Sequence, residues 1–299
     1  MARNSARRPE NAPGEFFVDA SCIDCDQCRQ IAPSVFRAYG GQAIVWHQPE
    51  TPDEWRRAQI ALVTCPTASI GTEHKQDLRP ALAALPEVIS ENVYFCGFAS
   101  ARSFGASSYL IVRPQGNVLV DSPRFARPLV RRLEAMGGVA LMFLTHRDDV
   151  ADHEKFHRHF GCRRIVHRED LTRSTRDVEI VIAGREPIRL EEDLLVIPTP
   201  GHTPGHQVLL YRERYLFSGD HLWANERGEL VASRCVCWYS WSEQVRSLAR
   251  LLEFRFEWVL PGHGRRVYAP AERMRALLRA CLARGRIDND ASGGVKTPI

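Results

Sequence analysis

The spacing of apolar positions divides the chain into two regions of different texture. From about residue 90, apolar runs of strand length alternate with stretches of helical period, the pattern of an α/β domain. Residues 108–113 and 117–121 read as two strands across the turn Pro114-Gln115-Gly116, and residues 125–136 as an amphipathic helix stopped by Gly137-Gly138. Residues 139–144 are apolar throughout, as in a strand buried on both faces. Further strands are expected at 194–197, 207–211, 215–217 and 258–260, with a helix over 242–254 between the last two. Before residue 85 the pattern is finer. Residues 16–19 read as a short strand, 29–36 as a helical turn stopped near Pro33, and 42–46 as a strand after Gly40-Gly41. Thr51-Pro52-Asp53-Glu54 is a helix start, followed by Trp55, Ala58 and Leu62 at helical spacing up to Thr64. The expected boundaries are a disordered arm over 1–14, a small α+β domain over 15–88, a larger domain over 89–285 and a flexible tail over 286–299.

Composition adds mainly exclusions. Of 299 residues, 44% are hydrophobic and 25% charged, which is ordinary for a globular protein. The formal charge of +4 is small, and arginines alternate with acids as in Arg131-Arg132-Leu133-Glu134, so a solvated face is expected and nucleic acid is not. No apolar run reaches bilayer length, and residues 1–14 lack the apolar core of a secretory signal. A cytoplasmic protein without a membrane partner is expected, of unspecified oligomeric state. Nine cysteines, an odd number, argue against a disulfide framework.

Four of those cysteines have a spacing that carries chemistry: Cys22-x-x-Cys25-x-x-Cys28 and the distant Cys65-Pro66. Three thiolates on one loop with a fourth from elsewhere suit an iron–sulfur cluster. Four thiolates also suit zinc, although zinc sites more often pair two separated Cys-x-x-Cys hooks. The stretch 15–85 resembles the bacterial single-cluster ferredoxins, which share this spacing and the Cys-Pro ending. That resemblance implies one 4Fe–4S cluster on Cys22, Cys25, Cys28 and Cys65, which either exchanges electrons with a donor or acceptor protein or only staples the small domain. Cys96, Cys162, Cys235, Cys237 and Cys281 read as small buried hydrophobes, with Cys235 and Cys237 set beside the aromatic run Trp238 to Trp241.

A second constellation lies at the ends of expected strands. It comprises His146, Asp148, Asp152 and His153 in one loop, His202 in Thr199-Pro-Gly-His-Thr-Pro-Gly-His206, Asp220 in Ser218-Gly-Asp220, and His263 in Pro261-Gly-His263. Strand ends that deliver imidazole and carboxylate to one sheet rim make a site geometry. The order and motifs resemble the metallo-β-lactamase fold over residues 90–270, which implies a four-layer αββα sandwich. Carried over residue by residue, the resemblance places metal one on His146, Asp148 and His202, and metal two on Asp152, His153 and His263. Asp220 would bridge them, and Asp152 would orient the nucleophile. The first motif departs from the family form by two extra residues and a missing second His. Asp148 fills that slot if the loop bulges, and Asp149 competes for it. An unbulged register would instead leave His146 over. A carboxylate in place of imidazole favours iron or manganese relative to zinc.

His206, His221 and Asp121 are candidates to orient ligands, and Tyr109 and Trp223 to line a pocket. His157 and His159 are expected to be exposed. The expected function is a metal-dependent hydrolase with one or two divalent metals, acting on a small-molecule ester, thioester, lactone or phosphoester. Two alternatives stand beside it. One is a ferredoxin-wired non-haem diiron oxidoreductase that reduces oxygen or nitric oxide; the other is a redox-sensing binding protein with structural metals.

Overall fold

Contacts divide the computed structural model, which describes residues 2–290, into two units. One runs up to Leu144 and includes Asp148–Arg164; the other joins Thr145–Arg147 to the chain from Ile165 onward.

The first unit begins with β1 (Phe16–Val18), α1 (Gln27–Ile31), β2 (Phe36–Tyr39), β3 (Gln42–Val45), α2 (Pro52–Thr64) and β4 (Ile70–Thr72). Strands β1 and β4 pair antiparallel, while β2 and β3 form a hairpin across Gly40-Gly41, both with positive φ. The expected helical turn over 29–36 starts two residues earlier and yields to β2, because Phe36 pairs with Val45. Helix α2 has the full capping box: Thr51 accepts from the Glu54 N–H and Glu54 accepts from the Thr51 N–H. Residues 2–14, expected as a disordered arm, are tied down by a buried side chain. Asn11 donates to the Val18 carbonyl and accepts from the N–H groups of Val18 and Val45.

The same unit continues through α3 (Arg79–Ala83), β5 (Glu87–Ser90), β6 (Val93–Phe95), β7 (Tyr109–Ile111), β8 (Val118–Val120), α4 (Arg127–Ala135), β9 (Leu141–Phe143) and α5 (His153–Phe160). Its sheet runs β9-β8-β7-β6-β5, with β8 and β9 parallel and the other pairs antiparallel. The expected boundary at 88 is crossed by direct bonds. The Gln27 amide donates to Ser107 at 2.9 Å, and the Ala99 N–H donates to the Thr64 carbonyl.

In the second unit β10 (Arg163–His167), which begins at the boundary, pairs parallel with β11 (Ile180–Ile182). There follow β12 (Ile188–Glu191), β13 (Leu194–Pro198), β14 (Gln207–Tyr211), β15 (Tyr215–Gly219), β16 (Trp223–Ala224), β17 (Leu230–Val231), α6 (Trp241–Arg250), β18 (Trp258–Pro261), β19 (Val267–Tyr268) and α7 (Ala271–Asp290). A six-stranded sheet runs β12-β13-β14-β15-β18-β19. Ile197, Val208 and Leu216 from this sheet pack with Val245 and Leu248 of α6 and with Met274 and Leu278 of α7. Each such side chain contributes about 1.5–3 kcal/mol by leaving water. Helix α7 runs to Asp290, so the flexible tail expected over 286–299 lies outside the described residues only from 291. Among the described residues, no helix is long and apolar enough to cross a membrane.

Candidate metal centre and cluster site

Three strand ends of the second unit build a histidine–carboxylate cluster. The loop between β13 and β14 carries His202, and the register Pro198↔Gln207 fixes its two stems. Strands β15 and β18 run parallel with Gly219 opposite Pro261, so the residues that follow, Asp220 and His263, emerge side by side. His146 enters beside β14, where the Gln207 N–H donates to the Thr145 carbonyl at 2.9 Å. The Nε2 atoms of His146 and of His202 each stand 3.8 Å from Oδ2 of Asp220. His263 Nδ1 lies 2.8 and 2.9 Å from the two oxygens of the same carboxylate.

Neighbouring groups fix which nitrogen of each ring faces inward. The Val236 carbonyl lies 2.6 Å from Nδ1 of His202. A carbonyl only accepts, so Nδ1 carries the proton and Nε2 presents its lone pair to the cluster. Thr145 Oγ1 holds Nδ1 of His146 at 2.9 Å. His206 lies against the ring of His146 at 5.2 Å. Its Nε2 accepts from the Asp220 N–H at 3.3 Å, so its Nδ1 donates to Thr199 Oγ1 at 2.9 Å. His206 thus braces the backbone of Asp220. His221 stacks on His206 at 5.3 Å.

Electrostatics follow from that burial. Burial alone would raise the Asp220 carboxyl, but His263, then His146 and His202, outweigh it and hold it far below the usual carboxylate range. Burial lowers His206 well below the usual histidine range, with His146, His221 and His202 adding to the effect. Burial and then His202 bring His221 to about 3, so both rings are neutral. A carboxylate set between the Nε2 atoms of His146 and His202 suits a cation. Ligands at about 2.0–2.2 Å from a first-row ion stand about 3–4 Å apart, and His146 and His202 each stand at that spacing from Asp220.

The other expected ligands lie in the first unit. Asp148 is exposed and its competitor Asp149 buried. Asp152 begins α5 with both carboxylate oxygens engaged: Oδ2 accepts from the Phe125 N–H at 2.9 Å, and Oδ1 faces Lys155 at 2.9 Å and Arg102 at 3.2 Å. Nδ1 of buried His153 faces the Arg164 guanidinium at 3.1 Å. A guanidinium only donates, so the His153 proton sits on Nε2, the tautomer opposite to that of His202. Asp152 and His153 in this arrangement do not fit as metal ligands.

Several contributors carry no motif. Asp170 is fully buried; it accepts from the Thr203 hydroxyl at 2.5 Å, the Gly205 N–H at 2.9 Å and the Arg147 N–H at 3.1 Å, locking the His202 loop beside His146. Gly219 has φ 49, and a Cβ there would meet Thr145 Oγ1 at 2.6 Å and His206 Nε2 at 2.7 Å. Trp238, 64% exposed, donates its N–H to the His202 carbonyl and sets its ring 6.2 Å from that imidazole. The Gly and Pro punctuation marked the loops, but nothing local marked these partners. Among the residues weighed from sequence, His157 bonds the Cys162 carbonyl and His159 pairs with Glu134. Asp121 and Tyr109 are buried in the first unit, and Trp223 packs against Gly264.

In the first unit Cys22, Cys25, Cys28 and Cys65 line one pocket with Val18 and Pro66. The Ala43 N–H donates to Cys22 Sγ at 3.4 Å and the Ser69 N–H to Cys65 Sγ at 3.3 Å, as backbone donors do around an iron–sulfur cluster. Burial, then the charges of Cys65 and Cys22, push the Cys25 thiol up to about 12, and burial raises Cys28 too. Converging buried sulfurs deprotonate together only around cationic charge, which iron supplies. Gly105, which the sequence did not flag, has φ 86, and a Cβ there would sit 2.5 Å from Cys25 Cβ. The pocket therefore depends on a residue 80 positions from the cysteine it faces.

Comparison with known proteins places these segments. Residues 18–72 match the model of the 4Fe-4S single cluster domain of Ferredoxin I, and residues 145–263 that of the Metallo-beta-lactamase superfamily. The chain is 28% identical over 142 residues to a hydroxyacylglutathione hydrolase of Enterobacter sp. (strain 638), covering 44% of this chain and 52% of that protein. It is 25% identical over 143 residues to the protein of the same name from Citrobacter koseri, covering 47% and 56%. The chain thus spans about half the length of the curated relatives it matches. Among solved structures, the DIM-1 metallo-β-lactamase exposed to ceftazidime aligns with TM-score 0.52 at 18% identity, over 68% of this chain and 96% of that one. VMB-1 aligns with TM-score 0.52 at 16% identity and the same coverages. The chain therefore has the metallo-β-lactamase fold, with the sequence pattern of that superfamily over 145–263 and that of a single-cluster 4Fe–4S ferredoxin domain over 18–72.

Proposed function

We propose that the chain is a metal-dependent hydrolase of small thioesters that also holds a 4Fe–4S cluster on Cys22, Cys25, Cys28 and Cys65. The observation that carries the hydrolytic reading is the convergence of the His146 and His202 Nε2 atoms on Asp220, each at 3.8 Å from one oxygen. These three residues would hold the divalent ion. Bound there, it supplies Lewis acidity and a nucleophile at neutral pH. The chain's own groups prepare that site. Val236 and Thr145 hold the His202 and His146 rings by Nδ1, His206 and His263 fix the backbone and carboxylate of Asp220, and Asp170 locks the His202 loop. Exposed Trp238 and Tyr239, whose N–H groups donate to the His202 carbonyl, offer an apolar face to an acyl chain. The thioester class rests on the hydroxyacylglutathione hydrolase relatives, whose named substrate is an S-acyl thiol. The match to a 4Fe–4S domain favours a second reading, in which electrons from the cluster reach a redox-active metal.

A substrate panel separates the readings. Cluster-replete protein is expected to cleave acyl thioesters faster than lactones or phosphoesters, without reductant, and Trp238→Ala to raise KM for a long acyl chain about tenfold with little change in kcat. Consumption of oxygen or nitric oxide only with a reduced cluster, and no thioester cleavage, would replace this reading with the redox one.

A further inference from the structure

A run of hydroxyl groups links the cysteine pocket of the first unit to a buried acid. Thr67 Oγ1 lies 3.7 Å from Cys65 Sγ, Ser69 Oγ 2.6 Å from Thr67 Oγ1, and Ser21 Oγ 2.8 Å from Ser69 Oγ. The Ser21 hydroxyl ends the run by donating to Oδ1 of Asp19. Asp19 is 1% exposed, and its backbone ties the two cysteine segments together. Its carbonyl accepts from the Cys22 N–H at 3.2 Å, and its N–H donates to the Ser69 carbonyl at 2.9 Å. Its carboxylate also accepts from the N–H groups of Ser21 at 3.0 Å and Arg3 at 2.9 Å. Burial would raise this carboxyl, but the Ser21 hydroxyl and the Arg3 N–H outweigh it and hold it below the usual carboxylate range.

A carboxylate only accepts, and each hydroxyl has one proton to give. That rule fixes the direction of the run. Ser21 gives its proton to Asp19, so Ser69 donates to Ser21 and Thr67 donates to Ser69. Thr67 is left with no proton for Cys65 and turns a lone pair toward its sulfur. The opposite direction would set the Ser21 and Ser69 oxygens 2.8 Å apart with no proton between them. The strengths favour the same answer: a hydroxyl–carboxylate bond is among the strong ones, whereas oxygen to sulfur at 3.7 Å is a long contact. Cys65 Sγ accepts from the Ser69 N–H at 3.3 Å, so a backbone donor and a hydroxyl lone pair meet at one sulfur. Ala68, between the two hydroxyl residues, takes φ 52, a left-handed turn uncommon for alanine.

We propose that this run, anchored on Asp19, holds down the reduction potential of the cluster on Cys65 by facing its sulfur with a lone pair in place of a proton. The inference rests on reading Cys22, Cys25, Cys28 and Cys65 as ligands of a 4Fe–4S cluster. Reduction adds one electron to that cluster, and donors to its sulfurs stabilise the added charge while lone pairs oppose it. The test is the midpoint potential of cluster-replete protein, titrated anaerobically with dithionite and read from the cluster's absorbance. Ser69→Ala removes the acceptor of the Thr67 proton and frees that proton for Cys65. Its potential is expected to be less negative by about tenfold in the reduction equilibrium, which is about 59 mV for one electron. The shift is expected to vanish when Ser69→Ala is made in Thr67→Val, and Thr67→Val alone is expected not to lower the potential. An unmoved potential in Ser69→Ala with its cluster retained, or an equal shift without the Thr67 hydroxyl, would overturn the inference and leave the cluster reading standing. So would a fall in Thr67→Val, which would mean that its hydroxyl donates to Cys65. That variant decides where Ser69→Ala holds no cluster. Unaltered protein that carries no iron and acid-labile sulfide would overturn the cluster reading as well.

Discussion

A carbonyl can only accept and a guanidinium can only donate, and that difference separates His202 from His153 more sharply than their places in a motif. Val236 is 34 residues from His202, and Arg164 is 11 from His153. Neither partner was legible in the sequence, because the choice of tautomer depends on chain segments that meet only after folding. His202, Asp220 and His263 could be placed at strand ends from sequence because glycine marks their turns, and His146 because it closes the apolar run 139–144. One tight constraint is Gly219, where φ 49 and the nearness of Thr145 and His206 leave no room for a side chain. Gly219→Ala is expected to displace both groups and weaken metal binding about 10–100-fold, as lost ligand support does. The check is metal retention against a graded chelator, with cluster absorbance unchanged. Full retention would show that Thr145 and His206 do not set the ligand geometry.

At the scale of elements, the strands that carry the site were the easiest to read. Residues 194–197, 207–211, 215–217 and 258–260 were expected and all are strands, because apolar runs of that length between glycines and prolines have few other fates. Strands β16 and β17, two residues each, carry no such signal and exist through tertiary bonds such as that of the Ala224 N–H to Arg265. Helix α7 was missed despite Met274, Leu278, Cys281 and Leu282 at helical spacing, masked by a run rich in arginine. Helix α5 tests its first turn through pH. Burial would raise Asp152, but the Phe125 N–H, Lys155 and Arg102 outweigh it and hold its carboxyl below the usual range. A depressed carboxyl stabilises the fold above its unfolded pKa and loses that contribution as pH falls through the folded value. Asp152→Asn is therefore expected to cost about 1–2 kcal/mol at pH 7 and progressively less below about pH 4. Denaturant unfolding of both proteins across that range is the check; a cost that does not shrink on acidification would mean that the charge is not what holds the helix.

At the scale of the molecule, composition suggests a break at 88, while contacts group the chain up to Leu144, with Asp148–Arg164, in one unit. The grouping has a physical cause: the cysteine loop is completed by residues beyond 88, with Gly105 against Cys25 and Ser107 bonded to Gln27. The cluster pocket is thus part of a larger folding unit, which local composition could not reveal. The central claim is that the histidine cluster of the second unit hydrolyses thioesters through its metal, without electrons from the first. Its most direct test is the rate of thiol release from an S-acyl glutathione. The rate would be followed anaerobically with the cluster oxidised, as zinc or iron is returned to chelator-treated protein, beside His202→Ala. Turnover that rises with metal and falls at least about 100-fold in His202→Ala is the predicted result. No turnover at any metal loading, or turnover indifferent to His202, would contradict it.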